Sequence, residues 1–165
     1  KDRYDQAVEY VKRSGLQDRI TLLFGDALET VVEGSFDMLF IDAAKAQYTK
    51  FFERYEPLLK KGGYVITDNL KFHGLVEHPE NIKSRNLRSL VRKIGNFVEY
   101  LKQREDYDTQ FYDFGDGVGI SRKKCEYRSE RKGVAGAVRN ETIPEIKLFH
   151  VSFRMFCDTI ETRKW

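Results

Sequence analysis

Four polar residues of this 165-residue chain have the types and spacing that could do chemistry: Asp42, Lys45, Asp68 and Asn69. Two carboxylates and an amide oxygen are hard oxygen donors, the kind that hold Mg²⁺ or Mn²⁺. A lysine beside them can take a proton once burial and the field of a cation favour its neutral form. A set of this kind binds and activates a hydroxyl. Turn chemistry is the other reading, since Asp at a strand end and Asp-Asn before a loop are common turn residues. Spacing alone leaves both open.

The elements that must position these residues are legible around them. Residues 36–69, FDMLFIDAAKAQYTKFFERYEPLLKKGGYVITDN, predict a buried strand over 37–41 and a turn carrying Asp42 and Lys45. An amphipathic helix over about 48–59, a Lys-Gly-Gly break and a second buried strand over 64–67 follow, ending in Asp68-Asn69. This is one βαβ unit. Ligands of open α/β sheets bind beyond the carboxyl ends of the strands, so the four polar residues are expected to converge on one crevice.

Either side of that unit the pattern continues. Residues 2–14 place Tyr4, Ala7, Val8 and Val11 at helical spacing and stop at Gly15. Residues 20–24 read as a short apolar strand leading into Gly25-Asp26-Ala27. Residues 70–79, LKFHGLVEHP, are a loop carrying His73 and His78, both read as exposed because neither has a partner at ligand spacing. Residues 82–104 predict a long helix with Leu87, Leu90, Val91, Ile94, Phe97, Val98 and Leu101 as its apolar stripe. A strand over 107–114 follows, and DFGDGVG (113–119), though glycine-rich, is not read as a phosphate loop, since no helix follows it.

The runs FIDAAKAQY, KKGGYVITDN and GLV resemble the cation-dependent, S-adenosylmethionine-dependent O-methyltransferases of the catechol and caffeoyl-CoA type. Their small bacterial members, including the tRNA 5-hydroxyuridine methyltransferases, are the nearest in pattern. The resemblance implies a partial Rossmann-like methyltransferase sheet, α/β and mostly parallel with a carboxyl-terminal antiparallel hairpin, flanked by helices. It implies that Asp42, Asp68 and Asn69 are the ligands of Mg²⁺ or Mn²⁺. By the same resemblance Asp42 also lies against the methyl donor, Lys45 takes the proton from the acceptor hydroxyl, and Gly25, Asp26 and Ala27 lie against the adenine of the donor. The acceptor would be a small phenolic substrate such as a catechol, or a hydroxyuridine in tRNA, and the assembly a homodimer.

The resemblance covers roughly residues 1–123, and residues 1–124 read as the carboxyl-terminal part of a methyltransferase domain. The family's glycine-rich turn and ribose-binding acid lie upstream of Lys1 in the pattern, and no GxGxxG-like segment occurs in the chain. By itself the chain is therefore expected to hold the donor weakly. In the resembled topology the strand over 20–24 and the strand over 37–41 flank two strands that this chain does not supply. Residues 125–165 have no recognised counterpart, and residues 148–160, LFHVSFRMFCDTI, are apolar enough to demand burial. Their β-branched and aromatic content favours an extra strand in the vacated sheet position over a helix on one face.

Composition bounds the rest. With 41% hydrophobic residues, 33% charged and three prolines, the chain is globular in character, and no apolar run approaches the length of a bilayer span. The start is charged and amphipathic, unlike a signal peptide, so a cytoplasmic location is expected. Cys125 and Cys157 are isolated, which argues against zinc or a disulfide framework. Net charge is only +3, yet Lys83, Arg85, Arg88, Arg92 and Lys93 cluster on one predicted helix and Arg122, Lys123 and Lys124 follow the last recognisable strand, with Arg128, Arg131 and Lys132 beyond. Such runs suit RNA, or equally a solvated face. Alongside the enzyme, two other functions remain open: a non-catalytic remnant that binds RNA or protein, and an inactive fragment.

Overall fold

The computed structural model describes residues 2–125 and 147–152. The chain divides into two compact units, Lys1–Val32 and Glu33–Trp165. In the first, helix α1 (Asp2–Ser14) ends at Gly15, whose φ of +71° is the left-handed conformation that closes helices. Residues 20–24, expected as a strand, have no ladder. Ile20, Leu23 and Phe24 are exposed, and no strand among the described residues pairs with them. Without a partner a strand leaves its N–H and C=O groups to water, so apolar content alone does not make one.

The second unit contains strand β1 (Phe36–Asp42), helix α2 (Tyr48–Tyr55), strand β2 (Leu59–Thr67), helix α3 (Arg85–Gln103), the hairpin strands β3 (Tyr107–Tyr112) and β4 (Val118–Lys123), and strand β5 (Leu148–Ser152). The sheet order is β3-β4-β2-β1-β5. β1 runs parallel to β2 and to β5, and β4 antiparallel to β2 and β3. The Lys-Gly-Gly segment, expected to separate helix from strand, lies inside β2: Phe36 faces Leu59 but Met38 faces Tyr64, so a bulge absorbs the extra residues. A Cβ on Gly63 would lie 2.9 Å from the Asp37 carbonyl oxygen, which is why that position needs glycine.

β5 lies on the free edge of β1, with Leu39 opposite Phe149 and Asp42 opposite Ser152. The Asp37 carboxylate accepts from Lys60 Nζ at 2.8 Å and from the Lys147 backbone N–H at 3.0 Å, tying β1 to both neighbours. The Lys60 ammonium is the larger cause that holds this carboxyl below its usual range. The remainder of the expected strand, residues 153–160, lies outside the described residues.

The core follows from the two amphipathic helices. α2 buries Tyr48, Phe51, Phe52 and Tyr55, and α3 buries Val91, Ile94, Phe97 and Leu101. Phe97 packs edge-on against Tyr48 and Phe52 at ring-centroid distances of 5.4 and 6.2 Å, and Tyr55 meets Phe149 of β5 at 4.8 Å. α3 starts three residues later than its apolar pattern suggested because Ser84 caps it, its hydroxyl accepting from the Leu87 N–H. α2 ends at Tyr55 because Pro57 lies in the short turn that follows.

Candidate active site at the carboxyl ends of β1 and β2

Register brings the two acids together. Ile41 stands opposite Thr67 in the parallel ladder, so Asp42 and Asp68 occupy the next positions on neighbouring strands, and the Asp68 N–H reaches the Ile41 carbonyl at 3.5 Å. Lys45, in the short turn Lys45–Gln47, donates from Nζ to Asn69 Oδ1 at 2.9 Å. The expected meeting of the β1 turn with the end of β2 thus exists as a direct side-chain bond. Asn69 has a φ of +59°, a left-handed conformation that asparagine tolerates well, and its N–H donates to Asp68 Oδ1 at 2.6 Å. Asp42 is exposed, while Lys45, Asp68 and Asn69 are half-buried.

Two residues at this site escaped the sequence reading. Tyr48, buried at the start of α2, donates its hydroxyl to the Asp68 carbonyl at 2.8 Å. Burial first, then the fields of Asp42, Asp68 and Asp116, push its phenol well above the ordinary value, so three carboxylates bear on one neutral phenol. The signal available was its place as the first helical residue after the strand-end turn. The second residue is Asp116, in the turn between β3 and β4. Its carboxylate accepts from Asn69 Nδ2 at 3.5 Å and from the His73 backbone N–H. Nothing in the glycine-rich hairpin pattern distinguishes this acid from an ordinary turn residue.

The loop after β2 is bound to that hairpin. Leu70 and Lys71 donate backbone N–H bonds to the Gly117 and Asp116 carbonyls at 2.9 and 2.8 Å, and Lys71 pairs with Asp113 at 2.9 Å. Gly117 sits at φ +84° with Lys71 Cγ only 2.7 Å from where a Cβ would be, so no side chain fits there. Phe72 and His73 also have left-handed φ, of 47° and 57°, each at a cost of about 1–2 kcal/mol that these tethers must offset. His73 and His78 are exposed, as read.

The donor chemistry of these residues suits a hard divalent cation: two carboxylates, at Asp42 and Asp68, and the amide oxygen of Asn69. Among the described residues no group of three or more His, Cys, Asp and Glu side chains stands ready to hold an ion. The set therefore depends on the amide, whose oxygen here accepts from Lys45. In the first unit Gly25 and Asp26 form an exposed turn with Ala27, in which Asp26 Oδ1 accepts from the Leu28 N–H at 2.8 Å. Of the basic residues on α3, Arg85, Arg88, Arg92 and Lys93 are exposed and make no ion pair among the described residues.

An α/β sheet with a crossover helix and polar strand ends is the architecture of Rossmann-like methyltransferases, and the comparisons agree. The O-methyltransferase family model matches residues 1–124, and the chain belongs to that family. It is 30% identical over 135 residues to the caffeoyl-CoA O-methyltransferase of Medicago sativa, covering 74% of this chain and 53% of that protein. A crystal structure of a candidate caffeoyl-CoA O-methyltransferase from Staphylococcus aureus superposes with a TM-score of 0.67 at 42% identity, covering 71% of this chain and 57% of the other. The S-adenosylhomocysteine-bound methyltransferase PaMTH1 of Podospora anserina gives 0.62 at 28% identity, covering 71% and 54%. The chain spans about half the length of the curated relatives it matches. Among the described residues no helix is long and apolar enough to cross a membrane.

Proposed function

We propose that this chain carries the acceptor side of an S-adenosylmethionine-dependent, divalent-cation-dependent O-methyltransferase, with an acidic hydroxyl as its substrate. The observation that carries the reading is the Lys45–Asn69 bond of 2.9 Å beside the paired strand ends of Asp42 and Asp68. Asp42, Asp68 and Asn69 would hold Mg²⁺ or Mn²⁺, and the cation supplies positive charge that makes a hydroxyl beside it more acidic. Lys45 in its neutral form takes the proton, with Asn69 Oδ1 fixing the position of its Nζ. Tyr48 stays protonated and anchors the Asp68 backbone. By the family resemblance the Gly25-Asp26-Ala27 turn is assigned to the adenine of the methyl donor, and Asp42 is separately assigned to the donor as well. Of the acceptors, a hydroxyuridine in tRNA is preferred to a catechol or other phenol on account of the exposed cations of α3, and a homodimer is the assembly proposed.

Titration with Mn²⁺, followed by calorimetry or water-proton relaxation, tests the site. Binding by the unaltered chain, and its loss in an Asp68→Ala, Asn69→Ala double variant, is the expected result. Equal binding by both chains would sink the assignment. A second reading, an RNA-binding module without catalysis, is favoured by one feature alone, the exposed cations at Arg85, Arg88, Arg92 and Lys93, which make no ion pair among the described residues. Retention of RNA after loss of both Asp42 and Asp68, with no turnover in any form of the chain, would select it.

A further inference from the structure

The Asn69 amide can serve a cation or Lys45 only if its oxygen, and not its nitrogen, faces them. The two ends of a primary amide have nearly the same shape, so something else must choose between them. Lys45 Nζ is a donor and selects the oxygen from one side. On the other side stands Asp116, whose ionised carboxylate can only accept. Its Oδ2 lies 3.5 Å from Asn69 Nδ2, and its Oδ1 accepts from the His73 N–H. Its side chain is only 15% exposed, so solvent competes little for these bonds. Its own backbone carbonyl accepts from Lys71 at 2.8 Å, fixing the acid relative to the loop that carries Asn69.

We propose that Asp116 is a positioning residue of this site: it holds the Asn69 amide with Oδ1 turned toward Lys45 and any cation bound there. This rests on the reading of Asp42, Asp68 and Asn69 as the acceptor site, and it adds a residue from a different part of the sheet. The acid comes from the turn of the β3–β4 hairpin, so the orientation of a group at the end of β2 is set by the turn that leads into its antiparallel neighbour β4. Partners that orient ligating groups in this way are typically worth about 10–100-fold in metal affinity.

Asp116→Asn separates orientation from loop anchoring. The new amide can still offer its oxygen to the His73 N–H, but its NH₂ then faces Asn69. Asn69 must turn its oxygen to residue 116 and its NH₂ to Lys45, where two donors meet. We expect the side-chain NH₂ resonance of Asn69 to shift in the ¹H–¹⁵N spectrum without metal, while the His73 amide keeps its protection from exchange. The dissociation constant for Mn²⁺ should rise about 10–100-fold. An Asp113→Asn control, in the same turn, should change neither.

An unmoved Asn69 resonance in a folded Asp116→Asn chain overturns the inference, as does unchanged Mn²⁺ affinity where the unaltered chain binds. If the unaltered chain fails to bind Mn²⁺, the cation reading falls, and the Asn69 resonance alone decides the role of Asp116. Should Asp116→Asn not fold, Asn69→Ala tests the pair from the other side. The ¹³C resonance of the Asp116 carboxyl must then move, and a fixed one rejects the contact.

Discussion

Residues 36–42 (FDMLFID) and residues 20–26 (ITLLFGD) are both apolar runs that end on an acid at a turn, yet only the first is a strand. Leu39 and Ile41 are fully buried, while Leu23 and Phe24 are 51% and 67% exposed. The difference is pairing. β1 has β2 on one edge and β5 on the other, and each ladder satisfies its backbone while its side chains meet α2. Residues 20–24 have no ladder among the described residues, although Phe24 meets Tyr4 edge-on at 5.1 Å. The consequence extends to the acids that end the two runs. Asp42 is placed beside Asp68 by register, whereas Asp26 spends its carboxylate on its own turn.

The contrast breaks most visibly at the chemical end of the paired strands. In a protein that also carries the donor-binding glycine turn, Lys45→Ala should lower turnover by about 10²–10⁴-fold, the usual worth of a general base, with donor affinity little changed. Lys45→Arg should not restore it, because a guanidinium stays protonated. Steady-state kinetics with a fixed acceptor measures this, and near-normal turnover in either variant would mean that the cation alone activates the hydroxyl.

Packing gives the next largest effect. Phe97 is fully buried between Tyr48 and Phe52, and Phe97→Ala should cost about 3–5 kcal/mol in urea unfolding. Leu23→Ala, in the unpaired run, should stay within about 0.5 kcal/mol. A similar loss at both positions would show that residues 20–24 are paired in solution after all.

A smaller effect separates the two ends by pH. In the folded chain Tyr48 titrates above its ordinary value near 10, burial being the main cause. Its neutral form therefore adds stability that is fully present below pH 10 and is lost as pH rises from there toward the folded value, at up to about 1.4 kcal/mol per pH unit. Tyr48→Phe should cost about 1 kcal/mol at neutral pH, for the bond to the Asp68 carbonyl, and flatten the alkaline loss. An unchanged alkaline slope in denaturation measured from pH 8 to 11 would mean that Tyr48 is not held neutral by its site.

By itself the sequence determined the βαβ unit, both helices that cover it, and the acids at its strand ends. Alternation and 3.6-residue spacing are local, and burial of one face against a sheet reads directly from them. The same local pattern misjudged residues 20–24 and the Lys-Gly-Gly segment, because whether an apolar run becomes a strand, and whether glycines break or bulge it, depends on a neighbour distant in the chain. Asp42, Lys45, Asp68 and Asn69 were legible as types suited to one chemistry. Tyr48 and Asp116 were not, since each acts through one bond to a residue 20 or more positions away, Tyr48 to Asp68 and Asp116 to Asn69. Only the tertiary structure could decide which end of the Asn69 amide faces Lys45, because a carboxylate on a separate hairpin supplies the asymmetry that the amide lacks.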